Sequence, residues 1–153
     1  ENYGLELNLN SDLSDDLDVF VNLGLLNTEI KSWESRPEIQ GREQAHAPSN
    51  SYSFGLNYRP TPETYLNLHA TGKSGFYYSD SHNNKSDSYI LLNSSFGYNY
   101  EDWVVELWVR NLFDEYYATR GFYFGNEAPD FADTLYERHG DPRHIGLSIR
   151  YDF

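Results

Sequence analysis

His144-Ile145-Gly146-Leu147-Ser148-Ile149-Arg150-Tyr151-Asp152-Phe153 sets apolar side chains at Ile145, Leu147, Ile149, Tyr151 and Phe153 against Gly146, Ser148, Arg150 and Asp152. A period of two over a whole decapeptide is the mark of a β-strand with two chemically different faces. In a water-soluble sheet the apolar face must be covered by a second protein layer. In a membrane barrel, lipid covers it and the polar face looks into a lumen. The function therefore turns on which of the two meets those leucines and isoleucines.

Composition narrows the choice. The 153 residues are enough for one domain with a core, yet only 39% are hydrophobic, 17% are aromatic, 14 are tyrosine and the formal net charge is -13. No apolar run approaches the roughly 18 residues of a membrane helix, so any crossing must be made by strands. Such acidity argues against a nucleic-acid partner, because phosphate binding needs clustered Lys and Arg. There is no cysteine, hence no thiolate metal site and no disulfide. The chain opens on Glu1 and holds no methionine, which leads us to expect a processed piece or a fragment of something longer.

Working back from the last strand, six more stretches alternate in the same way. They cover about 1–10, 17–33, 49–59, 64–78, 88–98 and 103–112, with Asn, Ser, Gly, Glu or Arg opposite the apolar set in each. Polar turns near 11–16, 60–63 and 99–102 are short, whereas the connections near 34–48, 79–87 and 114–142 are long and read as irregular. The turn Arg59-Pro60-Thr61-Pro62-Glu63 is expected to end its ladder. In an antiparallel meander every second connection lies on the same side, so short and long connections segregate to opposite ends. Outer-membrane barrels have this asymmetry, and Tyr58, Tyr98, Trp103, Tyr151 and Phe153 would then form an aromatic girdle at the short-turn end. About seven strands are too few for a closed barrel, which predicts a segment of a larger cylinder. The rival reading is a soluble all-β module binding carbohydrate or another ligand, in which a second sheet would cover Leu5, Leu23, Leu56, Leu68, Leu92, Leu107 and Leu147.

The most specific stretch is Val109-Arg110-Asn111-Leu112-Phe113-Asp114-Glu115-Tyr116-Tyr117. Its core, Asn111, Leu112, Phe113 and Asp114 with Tyr soon after, resembles the penultimate-strand motif of TonB-dependent outer-membrane receptors. The Gly41–Pro48 segment, the short turn before Trp103 and the ending Gly146–Phe153 are similar to that family too. The resemblance implies an all-β, antiparallel up-and-down meander, with residues 1–153 forming a single partial domain: the C-terminal segment of a transmembrane barrel of about 22 strands. It implies that the plug and the TonB-contacting segment lie upstream. It further implies an uptake receptor in the outer membrane of a Gram-negative bacterium, taking up a scarce nutrient, usually a ferric siderophore. Expected partners are outer-membrane lipid, the rest of the barrel and plug, TonB, and the barrel-assembly machinery, which would read Leu147, Ile149, Tyr151 and Phe153 as an assembly signal.

Candidate ligand contacts fall in the long connection before the last strand: Arg120, Phe122, Tyr123, Phe124, Tyr136, Arg138 and His139, which could stack on or pair with an anionic iron chelate. The bland alternative is that these aromatics only pack the loop. Glu127, Asp130, Asp133, Glu137 and Asp141 match no calcium loop and read as a solvated exterior. The five histidines are scattered, and no resident metal or cofactor is expected. Glu6, Arg59, His69, Glu106, Arg110, Arg150 and Asp152 share the polar faces and would meet water or the plug. No nucleophile elbow or phosphate loop appears, and Ser, His and Asp have no telling spacing for a membrane-embedded protease or lipase, so catalysis is not expected.

Overall fold

A computed structural model describes residues 1–153. The chain runs β1 (Asn2–Ser14), β2 (Leu17–Thr28), a 3-10 turn (Pro37–Ile39), β3 (Asn50–Thr61), β4 (Thr64–Lys73), β5 (Tyr89–Tyr100), β6 (Trp103–Arg110), β7 (Ala118–Phe124), β8 (Thr134–His139) and β9 (His144–Tyr151). Seven of the strands form one open antiparallel sheet in the order β1-β2-β3-β4-β5-β6-β9, and β7 and β8 pair as a separate hairpin. The sheet is the expected meander. Its strands, 8 to 13 residues long, bracket the ~9–11 residues a tilted strand needs to cross a bilayer.

Register shows why the two faces differ. Leu7 pairs with Leu23, Val21 with Phe54, Leu56 with Leu68, Leu66 with Phe96, Phe96 with Leu107 and Leu107 with Leu147, so one face is a continuous apolar band. Nothing in the chain covers that band. Leu5, Leu107 and Leu147 are 65%, 54% and 61% exposed, and the only second sheet is the small β7–β8 hairpin. The interdigitating layer that a soluble sandwich requires is absent.

The opposite face is polar and concave. The Asn22 side-chain amide donates to Ser53 Oγ at 2.9 Å, Asn67 to Ser95 Oγ at 3.1 Å, the Tyr65 hydroxyl to Glu106 at 3.0 Å, and Trp108 Nε1 to Ser148 Oγ at 3.1 Å. Glycines make room for large rings on this face. A Cβ at Gly55, Gly97 or Gly146 would come within 1.8, 2.0 or 2.1 Å of the ring of Phe20, Tyr65 or Trp108. Each ring therefore lies flat on the neighbouring strand, an aromatic covering a glycine cross-strand. Two hollows of about 520 and 480 Å³ open on this face, lined largely by Asn, Ser, Thr and charged side chains.

The three short turns, at Asp15-Asp16, Pro62-Glu63 and Glu101-Asp102, lie at one end. Backbone bonds chain each turn to the strand beside it: Arg59 N–H to Asp16 O, Asn99 N–H to Glu63 O and Asp152 N–H to Asp102 O. The Arg59 guanidinium also meets Asp18 at 2.8 Å. Several boundaries differ from the sequence reading. β1 runs on to Ser14 through a register shift after Asp12, and β3 passes Pro60 to Thr61 through another after Tyr58. Polar residues at a strand end can still pair when a bulge absorbs the mismatch. β2 stops at Thr28 and β4 at Lys73, and the chain beyond each turns into the opposite, long-connection end.

Candidate functional site

The long connections 29–49, 74–88 and 111–143 meet at that opposite end. Its buried apolar residues, Ile30, Ile39, Phe76 and Tyr78, are the only buried large hydrophobics in the chain. The first two connections are knitted through Arg42, whose guanidinium donates to His82 O at 2.9 Å, Asn83 Oδ1 at 2.8 Å and Ser79 O at 3.1 Å. The Ala45 N–H donates to Asp80, His46 N–H to Tyr77 O, and Lys85 pairs with Glu43. Arg42 and Lys85 both lie against the Tyr77 ring, at 4.6 and 4.4 Å from its centroid.

The third connection begins at Asn111, which is buried at φ 50°. Asparagine tolerates that left-handed backbone better than a branched residue does. Its amide nitrogen donates to Glu115 O at 2.9 Å and Asp141 O at 3.1 Å, its Oδ1 accepts the Glu115 N–H, and its own N–H donates to Asn93 Oδ1. Asp114, also at positive φ, accepts the Arg143 N–H at 2.8 Å. The chain thus leaves β6 and returns to β9 through one polar clamp. Leu112 joins it through its backbone, its N–H donating to Leu92 O and its carbonyl taking Arg143, while Phe113 stays 70% exposed.

Beyond the clamp the connection is not irregular, as the sequence suggested, but carries the β7–β8 hairpin. The alternation was masked because aromatics occupy both faces of Arg120-Gly121-Phe122-Tyr123-Phe124. One face packs inward. Tyr78 lies over Gly121, where a Cβ would come within 2.4 Å of the ring, and the Tyr78 hydroxyl donates to Glu137 at 2.5 Å. His82 stacks on Tyr123 at 3.5 Å between centroids and 6° between planes, and its Nε2 lies 3.5 Å from Asp133. Burial, then the Glu137 carboxylate, push the Tyr78 phenol well above its ordinary pKa. Burial raises Tyr123 as well.

The other face is open, and it gathers five of the seven candidate ligand contacts. Arg120 pairs in register with Arg138 and Phe122 with Tyr136, with Phe124 next along β7. Tyr123 is turned the other way against His82. His139 lies at the hairpin base, stacked on Tyr116 with its Nε2 2.8 Å from that hydroxyl. The acids are dispersed: Glu127 takes the Tyr136 hydroxyl at 2.7 Å, Glu137 takes Tyr78, and Asp133 faces His82. Sequence reasoning missed Arg42, Tyr78 and His82, the side chains that fasten the connections to one another. The signal was available in the run Gly75-Phe76-Tyr77-Tyr78, too aromatic for a solvated loop and out of step with β4.

This architecture has known counterparts. The family model described as TonB dependent receptor-like, beta-barrel, matches residues 1–112. The chain belongs to that family. Solved receptors of similar shape include the siderophore receptor PiuA from Acinetobacter baumannii, 18% identical with a TM-score of 0.83 over 98% of this chain and 21% of that one. The ferric yersiniabactin uptake receptor FyuA from Yersinia pestis matches at 18% identity and a TM-score of 0.81, over 99% of this chain and 23% of that one. The ferric citrate transporter FecA matches at 18% and 0.72, over 97% and 24%. At such identities the likeness is one of fold, and the chain spans about a fifth to a quarter of those receptors' length. The open sheet is thus a barrel-wall segment of a TonB-dependent receptor fold, and the family is one of receptors, not enzymes.

Proposed function

We propose that residues 1–153 are a single partial domain, the C-terminal barrel segment of an outer-membrane receptor of a Gram-negative bacterium that imports a ferric siderophore in a TonB-dependent way. One observation carries the reading: the apolar face of the sheet is bare, while all three long connections pack into a cap at one end of a polar, concave wall. Lipid suits the bare face, water or a plug suits the concave one, and the cap is a receiving surface on the outside of the cell. The named relatives are receptors or transporters of iron chelates, which supports the same cargo here. The protein acts in uptake and not in catalysis. Leu147, Ile149 and Tyr151 are exposed along β9, an outer edge of the sheet, and Phe153 is exposed just beyond its end, as suits a strand that the barrel-assembly machinery engages by edge pairing. The remaining partners are the rest of the barrel, the plug and, through the plug, TonB.

Under iron limitation, cells carrying the full-length gene should accumulate labelled iron from at least one ferric siderophore. Uptake should stop on deletion of the gene or on collapse of the inner-membrane proton gradient. Unchanged uptake of every chelate class in the deletion strain would overturn the proposal.

A further inference from the structure

We infer that the open face of the β7–β8 hairpin is a clamp for an anionic, aryl-bearing ferric chelate, in which Arg120 and Arg138 hold the negative charge and Phe122, Phe124 and Tyr136 stack on the rings. The inference rests on the receptor reading above and names the ligand class for it.

Charge carries the first step. Of the 11 Lys and Arg side chains, most are matched to oxygens, as Lys31, Arg36, Arg59, Lys85, Arg143 and Arg150 are to carboxylates and Arg42 is to carbonyls. Arg120 and Arg138 stand directly opposite each other across the hairpin, both exposed, and neither side chain has a carboxylate or carbonyl partner. Like charges in a cross-strand pair destabilise it, and the acids of the same connection are engaged elsewhere, Glu127 with Tyr136, Glu137 with Tyr78 and Asp133 with His82. An anion seated between two guanidinium forks removes the repulsion and gains charge-assisted hydrogen bonds.

Aromatic geometry carries the second step. Arg120 lies over the Phe122 ring at 4.7 Å, Phe122 and Phe124 are 6.1 Å apart and nearly parallel at 20°, and Phe124 and Tyr136 are 6.1 Å apart. Phe124 remains 49% and Tyr136 37% exposed. Glu127 holds the Tyr136 hydroxyl and so fixes that ring. The face thus grades from cationic at the base of the hairpin, through aromatic, to acidic beside Glu127, and a chelate would seat its anionic oxygens at the arginine end. The reverse face is already fastened by Tyr78–Glu137 and His82–Tyr123, so the clamp is pre-organised and little ordering entropy opposes binding. A ligand that is neutral, or anionic without rings, would use only part of it.

The test is titration of purified full-length receptor with a ferric tris-catecholate, a neutral ferric trihydroxamate and ferric citrate, followed by intrinsic fluorescence. The tris-catecholate should bind tightest. Arg120→Ala and Arg138→Ala should each weaken it by about tenfold or more, as expected for a lost charge-assisted bond. The double Arg→Glu variant should abolish binding, the Arg→Lys variants should keep part of it, and Phe124→Ala should weaken the catecholate while leaving ferric citrate unchanged. All these side chains are exposed, and heat-modifiable gel mobility checks that each barrel has folded. Tight catecholate binding untouched by the arginine variants overturns the clamp but leaves the receptor standing. Preference for citrate or hydroxamate overturns the ligand class. Binding of no chelate at all overturns the receptor reading itself.

Discussion

The sheet and the cap are stabilised in opposite ways. The wall from β1 to β9 buries no large apolar side chain, and what joins its strands is the backbone ladder, the bulk of the 63 regular backbone hydrogen bonds. The cap has little ladder, yet it buries Ile30, Ile39, Phe76 and Tyr78 and ties three connections together through Arg42, Tyr78 and His82. The wall relies on its solvent to cover its leucines; the cap covers its own apolar groups as a soluble core does. Substitutions should therefore read out differently in the two regions.

The largest effect is expected for Phe76→Ala, which empties the cap core at a cost of about 3–5 kcal/mol. Hydrogen exchange should rise across residues 29–49 and 74–88, with strand protection unchanged. If the strands lose protection as well, the two regions are not independent. Leu107→Arg places a charge on the bare face and should cost about 2–4 kcal/mol when the full-length receptor is refolded into lipid. A negligible cost would mean that this face does not meet the bilayer interior. Asn111→Ala removes the clamp's side-chain bonds and puts a Cβ residue without a polar group at positive φ, a loss of about 2 kcal/mol. Asn111→Gly, which restores the backbone freedom only, should recover part of it, and proteolysis within 112–143 is the readout.

The smallest effect is expected for Tyr78→Phe, about 1 kcal/mol. It carries a pH signature. The folded phenol has a raised pKa, so its contribution is complete below the ordinary tyrosine value near 10 and fades as the pH climbs above it. Hairpin protection in the native protein should decline in that alkaline range, and the Phe variant should lose less, the decline that remains coming from Tyr123, whose phenol burial also raises. A parallel decline in both would remove the Tyr78–Glu137 contact as its cause.

The wall was legible in the sequence because period two is a local property, and each of Leu5, Leu7, Leu9 or Ile145, Leu147, Ile149 announces its face by itself. The segregation of short and long connections followed from counting. The cap was not legible in the same way. Tyr78 and Tyr123 belong to its core, but they reach it from connections more than forty positions apart, and no spacing rule links them. The hairpin escaped notice because Phe122 and Phe124 on the open face and Tyr123 on the packed face erase the polar alternation. Of the proposed ligand contacts, the arginines were visible by residue type. That Arg120 faces Arg138 depends on a bulge after Ala118 that no residue advertises.

The neck at Asn111, Asp114 and Arg143 bears on how such receptors diversify. Because the excursion 115–142 leaves and returns through its own polar clasp, the register of β6 against β9 is set below it and does not depend on what the excursion contains. Lengthening a closed loop adds only a logarithmic entropy cost. The segment above the clasp is therefore free to change in sequence or length without renegotiating the wall that carries it.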